Sequence, residues 1–518
     1  MTGGVRLYES TAGETGEFIA LSHRWGETQP LTTTKATLDK WKKGIPWVSV
    51  PHAFQDAITV ARKLGVRYLW IDSLCIIQDD RQDWAEQAPE MCSIYSNAFL
   101  TISATRCDEG CTDTLFPDFQ RSVTVKGDGK GKEIKVAVRV EGPHVSASTH
   151  YPLLQRAWVF QERLLSRRIL HFGFDELNWE CMERAWCECD PNTSYPVLPH
   201  LKSAKSRNPS PLQESKSSSS SSSSGSGGED GVSFTTPFTR PGNHKTWREM
   251  IYWYTQQQLT FQSDRGPAIL GLAREMAQSR PKDVIYLSGL WSDSLIGDLA
   301  WEVTGDPVLS PGKSKSDERL PGPTWSWTTV PNAICLWPLN WEDNPAVEIL
   351  DLIPPPEVPA SSAASSTMSG EGRRAAGSIT LRGKVVRGVS SNAAAPVQKN
   401  TSQGQYLRTN GWFEASFPVT QAATGGGGEW FSHFVPDFRE GAAAAVPEGG
   451  EVFWLSLGTN PVEGTNPSNR PLQEIGLVLR CVDTKLQLYE RVGLAGFGQG
   501  RGNEVGGLLG EEMVVCLV

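Results

Sequence analysis

Residues 66–105 constrain the fold more than any other part of the chain, because a helical pattern lies between two apolar runs. Their sequence is VRYLWIDSLCIIQDDRQDWAEQAPEMCSIYSNAFLTISAT. Residues 68–74 and 99–104 are each typical of a buried strand. Between them, apolar residues recur at helical spacing at Trp84, Ala88, Met91, Tyr95 and Ala98. The stretch therefore predicts half of a doubly wound α/β unit.

Pro89 lies inside this predicted helix, where a proline costs about 3 kcal/mol. Either the helix kinks at Pro89, or a new helix begins there and places Glu90 in its first turn, where the helix dipole favours a carboxylate. The sequence leaves both arrangements open.

The preceding segment adds a strand at residues 17–22 and a helix that begins near Pro51 and ends near Gly65. In a parallel sheet the carboxyl ends of the strands share one edge, where ligands bind in open α/β folds. Asp72 ends one of these strands, so we predict a site at that edge. The side chains expected to bind a ligand there are Ser22, Arg24, Trp25, Ser73, Gln78, Arg156, Gln161 and Glu162.

Composition narrows the function classes. The 39% hydrophobic and 21% charged content is ordinary for a folded protein, and the net charge of -9 argues against a sequence-independent nucleic-acid binder. No stretch approaches the roughly 20 apolar residues of a membrane span. The ten cysteines come without a secretory signal, so we expect reduced thiols and a cytoplasmic protein.

Several phrases of the sequence resemble the fungal HET (heterokaryon incompatibility) domain in its order and spacing. They are ALSHRWG (20–26), FQDAITVARKLGVRYLWIDSLCIIQDD (54–80), DWAEQAPEMCSIYSNAFLTISA (83–104) and QRAWVFQERLLSRRILHF (155–172). The resemblance implies a signalling or effector role in self/non-self recognition and the cell death that follows, through protein partners or self-association. It supplies no chemical mechanism.

A further similarity, of the HET domain to TIR domains, implies an alternative function. TIR domains cleave NAD with a glutamate on a helix at the carboxyl edge of the sheet. By that analogy Glu86 and Asp72 are the catalytic candidates of an NAD or nucleotide glycohydrolase, with NAD as substrate and no other cofactor. The competing interpretations are a solvated Glu86 and a structural Asp72 that caps the next loop or pairs with Arg24.

The cysteines near residue 185 raise the question of a metal site. Cys181, Cys187 and Cys189, with Cys107, Cys111 or His171, carry the thiolate and imidazole ligands that zinc uses. Their spacing matches none of the common zinc knuckles, so the sequence predicts no metal centre.

Composition divides the chain into five parts. The strand and helix patterns predict an α/β N-terminal domain with a parallel sheet and helices on both faces, which the resemblance implies to be TIR-like or flavodoxin-like, followed by an aromatic-rich α+β region and a β-rich C-terminal part. Their bounds are 1–190 for the HET-type domain with a hairpin extension, 191–240 for a Ser/Gly-rich linker or insertion, 241–353 for a helical, Trp-rich region packing on the first domain, 354–377 for a low-complexity linker and 378–518 for the β-rich region.

Overall fold

The chain forms two compact units in the computed structural model, the first made of Met1–Thr246 and Pro267–Arg280 and the second of Trp247–Gly266 and Pro281–Val518. The structure describes residues 4–25, 31–107, 114–116, 121–126, 133–138, 150–174, 176–182, 185–189, 244–307, 319–337, 339, 346–355, 369–391, 414–416, 431–437, 450–459, 473–498 and 510–518. The predicted linker at 191–240 lies outside the described residues.

A six-stranded mixed sheet organises the first unit, in the order β2-β1-β3-β6-β7-β8. The first three pairings in that order are parallel, and β6, β7 and β8 continue as antiparallel neighbours. The strands are β1 (Phe18–Ser22), β2 (Tyr68–Ile71), β3 (Leu100–Ser103), β6 (Arg168–Phe172), β7 (Leu177–Cys181) and β8 (Ala185–Cys187), with a separate antiparallel pair β4 (Arg121–Lys126) and β5 (Glu133–Val138).

Helices cover both faces of the parallel strands. Leu21 and Ile71 lie in one buried cluster with Phe54 of α2 (His52–Lys63). Trp70 points to the other face, because side chains alternate along a strand, and packs edge-on against Tyr95 of α4 (Arg81–Asn97) with ring centroids 5.6 Å apart. The helices of this unit are α1 (Leu38–Lys43), α2 (His52–Lys63), α3 (Asp72–Cys75), α4 (Arg81–Asn97), α5 (Ala157–Leu165) and α7 (Pro267–Ala277).

The structure answers two questions from the sequence, where β2 ends and whether the helix continues through Pro89. The strand predicted over 68–74 ends at Ile71, because the Asp72 carboxylate accepts a hydrogen bond from the Ser73 amide at 2.6 Å and begins the short helix α3. The second concerns Pro89, which lies within one continuous helix, α4. A single helix forms because its face carrying Met91 and Tyr95 is buried, and this packing offsets the cost of the proline.

The second unit is rich in β-structure, as the sequence predicts for the C-terminal part. Its eight-stranded sheet contains a closed ring, because β14 pairs with β17, β17 with β18, β18 with β19, β19 with β20 and β20 with β14. Closure leaves these strands fewer open edges. The unit's strands are β9 (Tyr286–Leu287), β10 (Leu290–Trp291), β11 (Trp301–Pro307), β12 (Asn332–Leu336), β13 (Val347–Ile353), β14 (Ser378–Ser391), β15 (Glu414–Ser416), β16 (Phe431–Pro436), β17 (Glu451–Thr459), β18 (Gln473–Asp483), β19 (Leu488–Gly498) and β20 (Glu511–Leu517).

Three further helices lie between and before these strands: α6 (His244–Tyr254), α8 (Leu295–Asp298) and α9 (Gly370–Ala375). Helix α9 falls within the segment 354–377, which composition predicts to be a low-complexity linker. Inside the unit the guanidinium of Arg491 is buried, donates to both carboxylate oxygens of Asp437 and lies over the ring of Trp301 at 3.4 Å from its centroid. This buried charge is therefore both paired and stacked.

The first unit depends on a close approach between α4, α5 and α7. Gly271 of α7 donates its amide hydrogen to Gln161 Oε1 at 2.9 Å, and its carbonyl accepts from Cys92 Sγ at 3.2 Å. A Cβ on Gly271 would lie 2.6 Å from Gln161 Oε1 and 2.8 Å from Cys92 Cβ, too close for either. These helices can therefore pack in this way only around a glycine.

We predict that Gly271→Ala destabilises the protein by about 1–3 kcal/mol, because the added methyl overpacks this contact. Urea unfolding of the full chain measures the effect as a lower midpoint. Gly266→Ala is the matched control, since a Cβ there meets no atom within 4 Å and its φ of -73° is helical. Equal midpoints for the two variants would contradict the helix packing described here.

Candidate functional site

The carboxyl ends of the parallel strands gather a cluster of polar side chains. β1 ends at Ser22, β2 at Ile71 and β3 at Ser103, and Ser22 and Ser103 are partners in the register of β1 and β3. Asp72 follows β2 directly. Since the three strands run in the same direction, these residues and those just after β1 share one edge of the sheet.

Asp72 makes the central contacts of this edge. Its Oδ2 accepts a hydrogen bond from Trp25 Nε1 at 2.8 Å, and its Oδ1 lies 3.4 Å from His23 Nδ1. Its Oδ1 also accepts from the Ser73 amide. The carboxylate thus joins the segment after β1 to the start of α3, and with 22% of the side chain exposed it remains in contact with solvent.

His23 is held in a mainly apolar setting beside Asp72. Its ring is buried and meets Phe54 edge-on, with centroids 5.0 Å apart. Burial lowers the pKa of His23, and the nearby charge of Asp72 opposes this shift without overcoming it. The imidazole is therefore biased toward its neutral form, in which one ring nitrogen donates and the other accepts.

Glu162 of α5 is the second carboxyl group of the cluster. It is 6% exposed, and burial raises its pKa to about 7. The neighbouring polar side chains of Ser22 and Tyr95 and the charge of Arg156 oppose the shift, whereas the charge of Asp72 adds to it. Two carboxyl groups therefore lie near each other, and one of them changes protonation near neutral pH, an arrangement that suits acid/base chemistry.

Arg156 and Gln78 support the cluster through the backbone. Arg156 Nη1 donates to the carbonyl of His23 at 3.3 Å. Gln78 Nε2 donates to the carbonyls of Asp72 at 3.1 Å and Ile76 at 2.9 Å, which holds the chain after α3 in place. Both residues therefore position the edge.

The other predicted ligand-binding residues differ in their surroundings. Ser73 is fully buried, and its hydroxyl has no hydrogen-bond partner among the described residues. Arg24 is half-buried directly after His23. Gln161 Oε1 accepts a hydrogen bond from the Gly271 amide of α7, so this side chain stabilises the packing of α5 against α7.

Glu86 is exposed on α4, and its carboxylate accepts from Gln82 Nε2 one turn earlier at 2.6 Å. Within the described part of the chain it shares no hydrogen bond or ion pair with Asp72. The structure thus brings Asp72 together with Ser22, Trp25, Arg156 and Glu162, while Glu86 makes only a local contact on its helix.

Tyr95 is the contributor that sequence reasoning missed. The helical stripe identifies it only as a core residue, yet its buried hydroxyl interacts with Glu162 and burial raises its pKa well above the ordinary value. A tyrosine in an apolar stripe is itself a signal, because its hydroxyl requires a polar partner when buried.

A second polar network lies at the other side of β3. His171 Nε2 is 3.0 Å from Glu180 Oε2, which also accepts from Arg163 Nε at 2.8 Å, and Thr105 Oγ1 is 3.2 Å from His171 Nδ1. A hydroxyl, an imidazole and a carboxylate in this order resemble a hydrolase triad. All four side chains are buried and the arginine pairs with the carboxylate, so the network braces β6 and β7.

Comparison with known proteins gives one result that bears on this site. Residues 18–162 match the family model described as heterokaryon incompatibility protein (HET). The match begins with the first residue of β1 and ends at Glu162, so it spans every residue of the Asp72 cluster. No curated protein and no solved structure matches the chain. None of the described helices is both long and apolar enough to cross a bilayer.

The raised pKa of Glu162 predicts a pH dependence of stability. The folded state binds the proton more tightly than the unfolded chain, whose Glu has the ordinary value of 4.5. The contribution of Glu162 to the free energy of unfolding is therefore fully present below about pH 4.5. It is lost as the pH rises to about 7, which lowers the free energy of unfolding by about 3 kcal/mol. Glu162→Gln removes this dependence, so the free energy of unfolding of the variant increases relative to that of the parent chain as the pH rises.

The measurement is the free energy of unfolding in urea at a series of pH values from 4.5 to 8, a range set by those two pKa values. Glu90→Gln is the matched control, because Glu90 is exposed and bonds only locally to Ser93 in the described structure. Parallel pH curves for Glu162→Gln and the parent chain would show that Glu162 is ionised like an exposed glutamate.

Proposed function

We propose that the chain is a cytoplasmic signalling or effector module that triggers cell death on non-self recognition in a fungal cell, as its match to the heterokaryon incompatibility (HET) family model implies. The observation that carries the proposal is the family match over residues 18–162. The matched region contains β1, β2 and β3 and the residues of the Asp72 cluster, so we assign the effector activity to the carboxyl edge of these strands.

The Asp72 cluster supports a function located at that edge. A stable fold needs few buried titratable groups, because burying them without full pairing is costly. Glu162 and His23 are buried here, and so is the Ser73 hydroxyl, which has no hydrogen-bond partner in the described part of the chain. Such a concentration is the usual mark of a binding or reacting site. Protein partners or a second copy of the chain would receive the signal.

A second candidate function is a TIR-like cleavage of NAD or a related nucleotide. The parallel order β2-β1-β3-β6 agrees with the beginning of the flavodoxin-like order, in which ligands bind at the strand ends. In this reaction water adds to the anomeric carbon of the ribose while the bond to nicotinamide breaks. Nicotinamide leaves with the bonding electrons, and water gives up a proton as the ribose product forms.

The geometry favours Glu162 and Asp72 as the carboxylates for such chemistry. A carboxylate beside the ribose stabilises the positive charge that develops at its anomeric carbon. Glu162 titrates near neutral pH, which suits a group that accepts the proton from water, and Arg156 offers a cation for phosphate. Glu86, the catalytic candidate from the family analogy, is included in the test because its carboxylate is exposed to solvent.

We predict that induced expression of the full chain in a filamentous fungus lowers the number of viable cells. Asp72→Asn abolishes the effect, because the neutral amide no longer offers two acceptor oxygens to Trp25 and the Ser73 amide. Colony counts after induction measure the effect, with immunoblots to match protein levels. Glu90→Gln is the control that keeps it. Full viability with the parent chain, or equal killing by Asp72→Asn, would contradict the proposal.

Cellular NAD, measured at intervals after induction, separates the two functions. An effector lowers viability while NAD is unchanged at early times. The enzyme lowers NAD first, and Glu162→Gln then slows NAD loss by about 100-fold or more, as expected for the loss of a general acid or base. If Glu86→Gln slows NAD loss and Glu162→Gln does not, Glu86 is the catalytic residue instead of Glu162.

A further inference from the structure

The hairpin of β7 and β8 brings together two thiols and a carboxylate. Side chains of Glu176, Cys187 and Cys189 each offer a ligand atom, and these three atoms all lie within 4.8 Å of one another. Glu176 and Cys187 are buried and Cys189 is exposed. This group is separate from the Asp72 cluster and takes no part in the proposed function.

The local fold explains why the three groups converge. Cys187 ends β8 and pairs with Asn178 of β7, and Cys189 follows two residues later with its Sγ within 4.8 Å of the other two ligand atoms. Glu176 directly precedes β7, and its Oε2 accepts from the Cys189 amide at 3.2 Å. The neighbouring Glu188 carboxylate accepts from the Leu177 amide at 2.8 Å, so backbone bonds on both sides fix the arrangement.

We propose that Glu176, Cys187 and Cys189 bind a zinc ion. Zinc takes thiolate sulfur at about 2.3 Å and carboxylate oxygen at about 2.0–2.2 Å in a tetrahedron, so bound ligand atoms are separated by about 3.5 Å. The present separations, of up to 4.8 Å, need to shorten by at most about 1.3 Å, which side-chain rotation supplies. With three protein ligands, the fourth position of the tetrahedron is left to water.

Charge favours a soft divalent cation at this place. Two thiolates and a carboxylate so close together repel one another when ionised, and a divalent cation compensates this repulsion. Thiolate ligands favour zinc over magnesium and calcium, which prefer oxygen. Knuckle spacings among the cysteines do not indicate this group, because its third member is Glu176, which directly precedes β7.

The test is the zinc content and zinc affinity of the purified full chain. We expect one zinc per chain by elemental analysis after dialysis, and cobalt(II) in its place is expected to give the intense near-ultraviolet absorption of thiolate-bound cobalt. Cys189→Ser is the primary variant, because Cys189 is exposed and its replacement leaves the core intact. It is expected to weaken zinc binding by about tenfold or more.

Cys181→Ser is the matched control, since Cys181 lies in the same hairpin but outside the group of three. It is expected to retain zinc and the cobalt absorption. Glu176→Gln tests the carboxylate and is expected to weaken binding while keeping the thiolate absorption. The inference is overturned if the parent chain takes up no zinc, if Cys189→Ser binds it as tightly as the parent chain, or if mass spectrometry shows Cys187 and Cys189 joined as a disulfide.

Discussion

The hydrogen bonds of the Asp72 carboxylate are the interaction on which the candidate site depends. One oxygen accepts from the indole of Trp25 after β1, and the other accepts from the Ser73 amide at the start of α3. Charge-assisted hydrogen bonds of this kind are stronger than neutral ones, and in a partly buried position they fix geometry as well as adding stability. Thr33 adds backbone hydrogen bonds to Ser73 and Gln78, so both sets of contacts hold the chain after β1 against the chain after β2.

Asp72 also shapes the electrostatics of its neighbours. Its negative charge raises the pKa of Glu162 further after burial has raised it, and it limits the fall in the pKa of His23. A buried proton on Glu162 therefore responds to whatever binds at this edge. A cationic ligand would favour the ionised carboxylate and an anionic one the protonated acid, so binding and protonation are coupled. This coupling is useful to an enzyme and to a signalling module alike.

Local patterns in the sequence are enough to predict the central elements. Apolar runs predict β2 and β3, and the helical stripe predicts α4. A charged residue at the end of an apolar run, Asp72, predicts a site at that edge of the sheet. What the sequence leaves open depends on long-range contacts. Pro89 permits two arrangements of α4, and only the burial of its face selects the continuous helix. Likewise, no local pattern distinguishes Gln161, which binds Gly271 of α7, from Glu162, which joins the site.

A double-mutant cycle between Trp25→Phe and Asp72→Asn measures whether Asp72 ties the end of β1 to the end of β2. The free energy of unfolding is measured for the parent chain, both single variants and the double variant. A shared charge-assisted hydrogen bond predicts a coupling energy of about 1.5–3 kcal/mol. Additive effects, with a coupling within about 0.5 kcal/mol of zero, would show that the two side chains do not interact.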